Sequence, residues 1–423
     1  MPHAKDAVSR DCSLHQGSPG GSIPPGGEVQ ERRRLAWFFP RNAVMTVVML
    51  GVCLALWFVP TGFENRLPTD ALQVKARVVS VDDSQVHRFG LIREGDQRVE
   101  VVPVSGPFAG RTITADNHLL GKLELDKIFA PGDMALVVLS MRGGEIVSAV
   151  AQDHWRLGLQ GLVLGLFVLA LVAYAGLTGL RAVISFAFAA MLLWKVLAPA
   201  LLSGRDPLLV TLAVLAALMA GVVFLVGGLT RRSLAAYLGS LGGVAVTCLL
   251  ALATAPGFAL PGAVRPFAET LLYSGYASLD LGRMFLATIC LGASGAVMDV
   301  AMDVAASQAE LAAHAPGIGF WRLAISGFRV GRVVVGTMAT TLLLAYCGGF
   351  LLLLLLVMAQ GVPLVNVVTM PQVAAEIANT LVGSFGLVTA APLTALAGAA
   401  LLGLRRPGRC PGPAGGNHSP QTP

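Results

Sequence analysis

The chain has 423 residues, of which 55% are hydrophobic and 13% charged, with a mean hydropathy of +0.71. Soluble domains carry roughly 25% charge, so there is too little charge here to cover a water-facing surface, and a wholly soluble fold is excluded. The net charge of +6 sits in short basic clusters between apolar runs, a pattern that orients membrane helices and gives no reason to expect nucleic acid.

Residues 1–30 are rich in Gly, Pro and Ser and have little to bury, so a disordered cytoplasmic tail is expected through residue 41. Glu31-Arg32-Arg33-Arg34 then precedes the apolar run Ala43 to Pro60. This reads as an uncleaved signal anchor over 42–60, with the arginines holding the N-terminus in the cytoplasm.

Residues 61–154 change character. Val74, Ala76, Val78 and Val81 stand among polar residues in near alternation, and Arg98-Val99-Glu100-Val101-Val102 reads as another strand. Asp82-Asp83, Gly106-Pro107, Pro131-Gly132-Asp133 and Gly143-Gly144 mark turns, the last joining a hairpin of 134–140 and 145–151. About five short strands suggest a small barrel of the OB or SH3-like kind, which by itself assigns no function.

Residues 155–404 hold seven further spans: 157–176, 180–202, 208–228, 234–254, 284–303, 334–358 and 379–402. Each approaches the roughly 20 residues needed to cross a bilayer. Arg181, Arg231-Arg232, Arg322, Arg329, Arg332, Arg405 and Arg406 fall at every second connection. The expected fold class is therefore an α-helical polytopic membrane protein of about eight transmembrane helices with a small extracytoplasmic β-barrel-like domain, and both termini cytoplasmic. Residues 405–423 read as a second disordered tail. The segment 255–282, with Glu269, Tyr273, Tyr276 and Asp280, either lies along the interface or re-enters the membrane.

Asp299 and Asp303 are four residues apart within an apolar run, which puts them on one helix face with Gly292, Gly295, Ala296 and Ser307. A stripe of small and polar residues is expected to face the bundle. A carboxylate at the bilayer centre costs a few kcal/mol, so Asp299 is either a proton- or cation-binding site or a structural partner. Asp303 lies nearer the cytoplasmic interface, and Arg329 and Arg332 are possible charge partners for both. Lys195 either snorkels to the outer interface or pairs with Glu269, Asp280 or Glu376. Thr369-Met370-Pro371-Gln372 reads as a capped helix start, which places Glu376 about one turn inside the last helix. Pro392 falls inside that helix and should kink it.

The sequence has no GxxxxGK[ST] loop, HExxH pair or GxSxG elbow. Its six cysteines form no CxxC pair, and no zinc site, cofactor or disulfide framework is expected. No nucleophile, base and oxyanion donor assemble in the sequence, so an enzyme is not expected.

Three stretches resemble the YibE/F family of bacterial multipass membrane proteins, over roughly residues 60–404. They are Gly106-Pro107-Phe108-Ala109-Gly110 with Leu123-Glu124-Leu125-Asp126 and Pro131-Gly132-Asp133; Gly295-Ala296-Val297-Met298-Asp299-Val300-Ala301 with Ser307; and Gly331-Arg332, Gly336-Thr337-Met338 and Thr341-Leu342 with Glu376-Ile377 and Leu381-Val382-Gly383-Ser384. The resemblance implies a multipass protein of the bacterial plasma (inner) membrane and a permease role without a substrate. Asp299 matches the family's intramembrane aspartate and Glu376 its glutamate before the last helix, while Asp303 is less typical. The functional expectation is a secondary transporter of a small solute or ion, coupled through Asp299. The alternative is a non-enzymatic assembly or sensor protein whose external β-domain binds an envelope partner.

Overall fold

The computed structural model describes residues 27–63 and 70–403, with side chains described from residue 43. The expected tails lie outside the described residues, with one exception. Helix α1 (Gly27–Phe58) starts inside the stretch expected to be unstructured. Residues 28–39 are mostly good helix formers, and they extend the apolar stretch Ala43–Phe58 backward.

The β-domain is a closed five-strand barrel in the order β1-β2-β3-β5-β4. Its strands are β1 (Ala71–Phe89), β2 (Ile92–Pro103), β3 (Ile113–Leu120), β4 (Met134–Arg142) and β5 (Glu145–His154). Pairing is antiparallel except between β3 and β5, where Asp116 faces Val150 in parallel. The alternation seen in the sequence is the alternation of burial: Val74, Ala76, Val78, Val99 and Val101 point into the core with Ala135, Val137 and Leu139. Gly143 and Gly144, at φ 62° and 85°, make the tight β4–β5 turn that most residues resist.

Two core positions are polar. Asn117 and Gln97 are buried, and Asn117 Nδ2 donates to Gln97 Oε1 at 3.0 Å and to the Lys127 carbonyl at 2.6 Å. Gln97 Oε1 also accepts from the Phe129 amide at 3.0 Å. The two side chains thereby tie the loop after β3 to the barrel wall.

Among the described residues, six helical segments are long and apolar enough to cross a membrane: Leu157–Leu202, Pro207–Gly227, Arg231–Phe258, Leu281–His314, Phe320–Gly349 and Pro371–Gly403. Ala43–Phe58 is a shorter apolar stretch within α1. The first of the six joins α2 (Leu157–Leu192), a π-turn (Leu193–Leu197) and α3 (Ala198–Leu202), where two separate spans were expected. Its backbone breaks at Gly176, φ 56° and ψ −130°. Gly179 stands against the carbonyl of Leu171, and a Cβ added to it would lie 3.2 Å from Val172 Cα. Residues eight apart in a straight helix are about 12 Å apart, so the segment folds back on itself at Gly176.

The remaining helices are α4 (Pro207–Gly227), α5 (Arg231–Phe258), α6 (Ala268–Tyr273), α7 (Leu281–His314), α8 (Phe320–Gly349), α9 (Leu351–Ala359), α10 (Leu364–Thr369) and α11 (Pro371–Gly403). The span expected over 334–358 is corrected. Helix α8 begins at Phe320 and carries Arg322, Arg329 and Arg332, and the chain breaks at Phe350 before α9. The Gly348-Gly349 pair at that point weakens the helix.

Helix α7 is central and packs on α4, α5, α8 and α11. The α5–α11 contact is the most extensive between helices among the described residues, and small residues make it. Gly239 lies against Thr394, and Gly386 against Thr247. A Cβ on Gly243 would lie 2.8 Å from Ala390 Cβ and 2.9 Å from the Gly386 carbonyl. Lipid tails remove the hydrophobic drive between helices, so such close backbone approach supplies the packing.

Substituting Gly386→Val should therefore overpack this seam and lower stability by about 1–3 kcal/mol. The Gly348→Val change, where no heavy atom lies within 4 Å of the added Cβ, should cost less. Thermal unfolding of the detergent-purified variants checks this.

Candidate functional site

The segment after α5 turns at Ala259, φ 46°, and forms a short 3-10 turn, Gly262–Val264. Gly262 sits against the backbone of Leu281 and Gly282 with no room for a Cβ. Arg265, the residue after this turn, reaches α11. The Arg265 guanidinium donates to Glu376 Oε2 at 3.0 Å, with the side chains only 26% and 13% exposed. It also lies over the Phe285 ring, 5.5 Å from the centroid. Asn379, one turn along α11, donates from Nδ2 to Glu376 Oε1 at 3.4 Å.

This pair carries more polar capacity than it uses. Arg265 Nε, Asn379 Oδ1 and Tyr346 Oη are buried and find no hydrogen-bond partner among the described residues. All three are next to Glu376 or its helix. Gly292 of α7 closes the group: a Cβ there would lie 2.6 Å from Tyr346 Oη and 3.9 Å from Asn379 Oδ1. Two cavities flank the site. One, of 270 Å³, is walled by Tyr346, Phe350, Leu354 and Ile377 beside Glu376. The other, of 240 Å³, lies between α5 and α7 around Thr254, Asp280 and Arg283.

Asp299 and Asp303 stand elsewhere. Both are exposed, in a single open stripe on α7 made of Thr288, Gly292, Gly295, Asp299, Asp303, Ala306 and Glu310. The expectation that this stripe faces the bundle is corrected. The faces of α7 that meet neighbouring helices carry Phe285, Leu286, Ile289, Val297, Val300 and Val304 together with Ala293, Ala301 and Ala305. The stripe runs between Met298 and Met302, which face α4 and α5, and Val304, which meets Gly331 of α8. Its Gly292 end abuts the Arg265–Glu376 group.

The other expected partners are apart from these acids. Among the described residues no ion pair joins Arg329 or Arg332 to Asp299 or Asp303. Both arginines are exposed, and Arg332 lines a groove with Gly336, Val388 and Pro392. Lys195 Nζ donates to the Val59 carbonyl at 3.0 Å, which ties α1 to the π-turn. Asp280 caps α7 through the Arg283 amide at 2.9 Å, and Arg283 pairs with Asp206, the cap of α4. Thr369 does not cap α11; its hydroxyl donates back to the Val365 and Asn366 carbonyls. Among the described residues no group of three His, Cys, Asp or Glu is placed to hold a metal ion.

The family model described as YibE/F-like protein matches residues 163–404. The chain belongs to the YibE/F family. No curated relative and no solved structure matches it. The YibE/F match takes in the whole Arg265–Glu376 group and the α7 stripe. It stops short of α1 and the barrel, so the resemblance expected from residue 60 is matched from residue 163.

Sequence reasoning picked out Glu376 but missed Arg265, Tyr346 and Asn379 as its company. It also missed Gln308, a fully buried polar residue of the bundle. Gln308 Nε2 donates to the Leu323 and Ala395 carbonyls, both at 2.9 Å, and clasps α7, α8 and α11. Gly327 and Gly398 leave the space for it.

Breaking a buried ion pair by removing one partner costs about 3–5 kcal/mol, and less where, as at Arg265, a quarter of the side chain is exposed. Glu376→Gln should accordingly lower the Tm of the purified protein, and adding Arg265→Gln should recover part of the loss. A double variant no more stable than Glu376→Gln would show that the pair does not couple.

Proposed function

We propose that the protein is a permease of the bacterial plasma membrane that moves a small solute or ion, with coupling to a proton or cation through Asp299. The observation that carries the reading is the junction at Gly292. There the buried Arg265–Glu376–Asn379–Tyr346 group meets the stripe of Gly292, Gly295, Asp299 and Asp303. Together they form one polar track along α7. Carboxylates presented to lipid cost a few kcal/mol each, so this track has to be served by water, a proton or a cation. Arg265 and Glu376 act as the latch at its outer end. The loop carrying Arg265 is held down by that pair, and separating it opens the track.

In this reading the helices cross eight times. Leu157–Leu202 crosses twice by turning at Gly176, and Ala43–Phe58 supplies one further crossing. The barrel then lies outside and both termini in the cytoplasm, in keeping with Arg181 after the Gly176 turn, Arg231 and Arg232 at the start of α5, and Arg322, Arg329 and Arg332 in the first turns of α8. The proposed role needs no cofactor and no chemistry on the solute.

Uptake into proteoliposomes, screened with labelled ions and small metabolites, tests the reading. Asp299→Asn should cut uptake by at least about tenfold, a change of roughly 1.4 kcal/mol in the transport barrier, while reconstitution stays equal. Asp303→Asn should retain most of it. Transport at the unsubstituted rate through Asp299→Asn would end the coupling mechanism. Absence of uptake for every solute would favour an assembly or sensor role.

A further inference from the structure

The barrel meets α2 at a cavity of 450 Å³, within the range of about 300–1,000 Å³ typical of ligand sites. Three stretches of chain wall it: residues 72–75 of β1, the loop Ser105-Gly106-Pro107 after β2, and His154 to Leu157, where β5 ends and α2 begins. The register explains the meeting. Lys75 pairs with Leu136, and Leu136 with Asp153, so one row of the sheet runs from β1 through β4 to the end of β5. Val74 and Ala76 are buried in the core. Lys75, between them, points outward and lies over the Trp155 ring, 5.5 Å from its centroid.

The cavity is cationic. Lys75 and Arg156 line it, and among the described residues no Asp or Glu does. Lys75 forms no ion pair among the described residues. Arg156 holds Asp153 at 2.9 Å, but the two side chains are 58% and 46% exposed, and such surface pairs are weak. The first amides of α2 have no side-chain cap, so the positive end of that helix borders the same space. Helix α2 also sets the depth of the cavity. Leu157, Leu159, Leu162, Leu164 and Phe167 are exposed all round it, and a helix apolar on every side needs lipid around it. From Leu157 to the break at Gly176 it rises about 29 Å, and a bilayer's hydrocarbon core is roughly 30 Å thick. Leu157 therefore stands at one edge of that core, and the cavity beside it is level with the lipid headgroups.

We propose that this cavity binds the phosphate of an anionic phospholipid. Lys75 and Arg156 meet the phosphate oxygens, the Ser105 hydroxyl donates to the headgroup, and the acyl chains run down along Leu157. Trp155 lies at the interface, where its ring type is favoured. An anionic lipid is preferred to a zwitterionic one, because the latter brings an ammonium of its own to two cations. A lipid held by β1, the 105–107 loop and the start of α2 at once stiffens the joint between barrel and membrane. The assignment needs only that α2 enters a membrane, so it stands apart from the permease reading.

The test uses the full chain with a genetically encoded photo-crosslinking residue at position 73 or 105. The protein is reconstituted in liposomes of equal parts phosphatidylglycerol and phosphatidylcholine, and lipid adducts are counted by mass spectrometry. Phosphatidylglycerol adducts should outnumber phosphatidylcholine adducts by about fivefold or more, the gain expected from one cation at a membrane surface. Lys75→Gln with Arg156→Gln should bring the ratio near one. Arg88→Gln with Arg93→Gln, a pair beside the β1–β2 hairpin tip, should leave it unchanged. Two crosslinking positions guard against one that disturbs folding. The proposal is overturned by absence of lipid adducts at both positions, by equal labelling of the two lipids, or by the same fall in both pairs of variants. Loss of the adducts in millimolar glycerol phosphate would also overturn it, by assigning the site to a soluble phosphate ester.

Discussion

The bundle rests on how closely α5, α7 and α11 approach one another. In lipid, apolar side chains gain little by leaving their solvent, so helix association depends on dispersion contacts and on hydrogen bonds that replace none to water. Both are steep in distance. Gly239, Gly243 and Gly386 bring the backbones of α5 and α11 near enough for Thr247 and Thr394 to lie in the seam. Everything else in the bundle is placed relative to this seam, including the helix that bears the acids.

Polar groups then fix what small residues leave free. Small-sided helices can slide past each other with little change in packing. Gln308 removes that freedom at one end, because its amide must meet carbonyls of two other helices at once. Arg265 and Glu376 do the same at the other end with charge in place of an amide. The two clasps are built differently in one respect that matters for function. Gln308 is sealed between glycines, whereas the Arg265–Glu376 pair has cavities beside it. A clasp with slack around it is the one suited to opening.

How much of this was legible in the sequence depended on the range of the interaction. The β4–β5 hairpin was readable because Gly143-Gly144 and the flanking alternation act within a few residues. The start of α11 at Pro371 was readable for the same reason. The facing of Asp299 was not. Small residues on one side of α7 suggested an interface, but the packed faces are those of Phe285, Ile289, Val297, Val300 and Val304, and the small, polar stripe is the open one. Arg265 does not stand out in the sequence because its partner is on a helix 111 residues away. The start of α8 was hidden by Arg322, Arg329 and Arg332, which lower hydropathy without breaking a helix. Local chemistry marks the ends of elements; which faces meet is settled by long-range packing.

The link between barrel and bundle has a mechanical consequence. Only Trp155 and Arg156 separate β5 from α2. The Trp155 amide donates to the Met134 carbonyl at 2.7 Å, and Lys75 lies over its ring. With so few free torsions, β5 and α2 form one lever arm. A tilt of the first membrane-embedded turns of α2 would swing the whole barrel, making it a pointer, outside the bundle, that reports the posture of a helix within it.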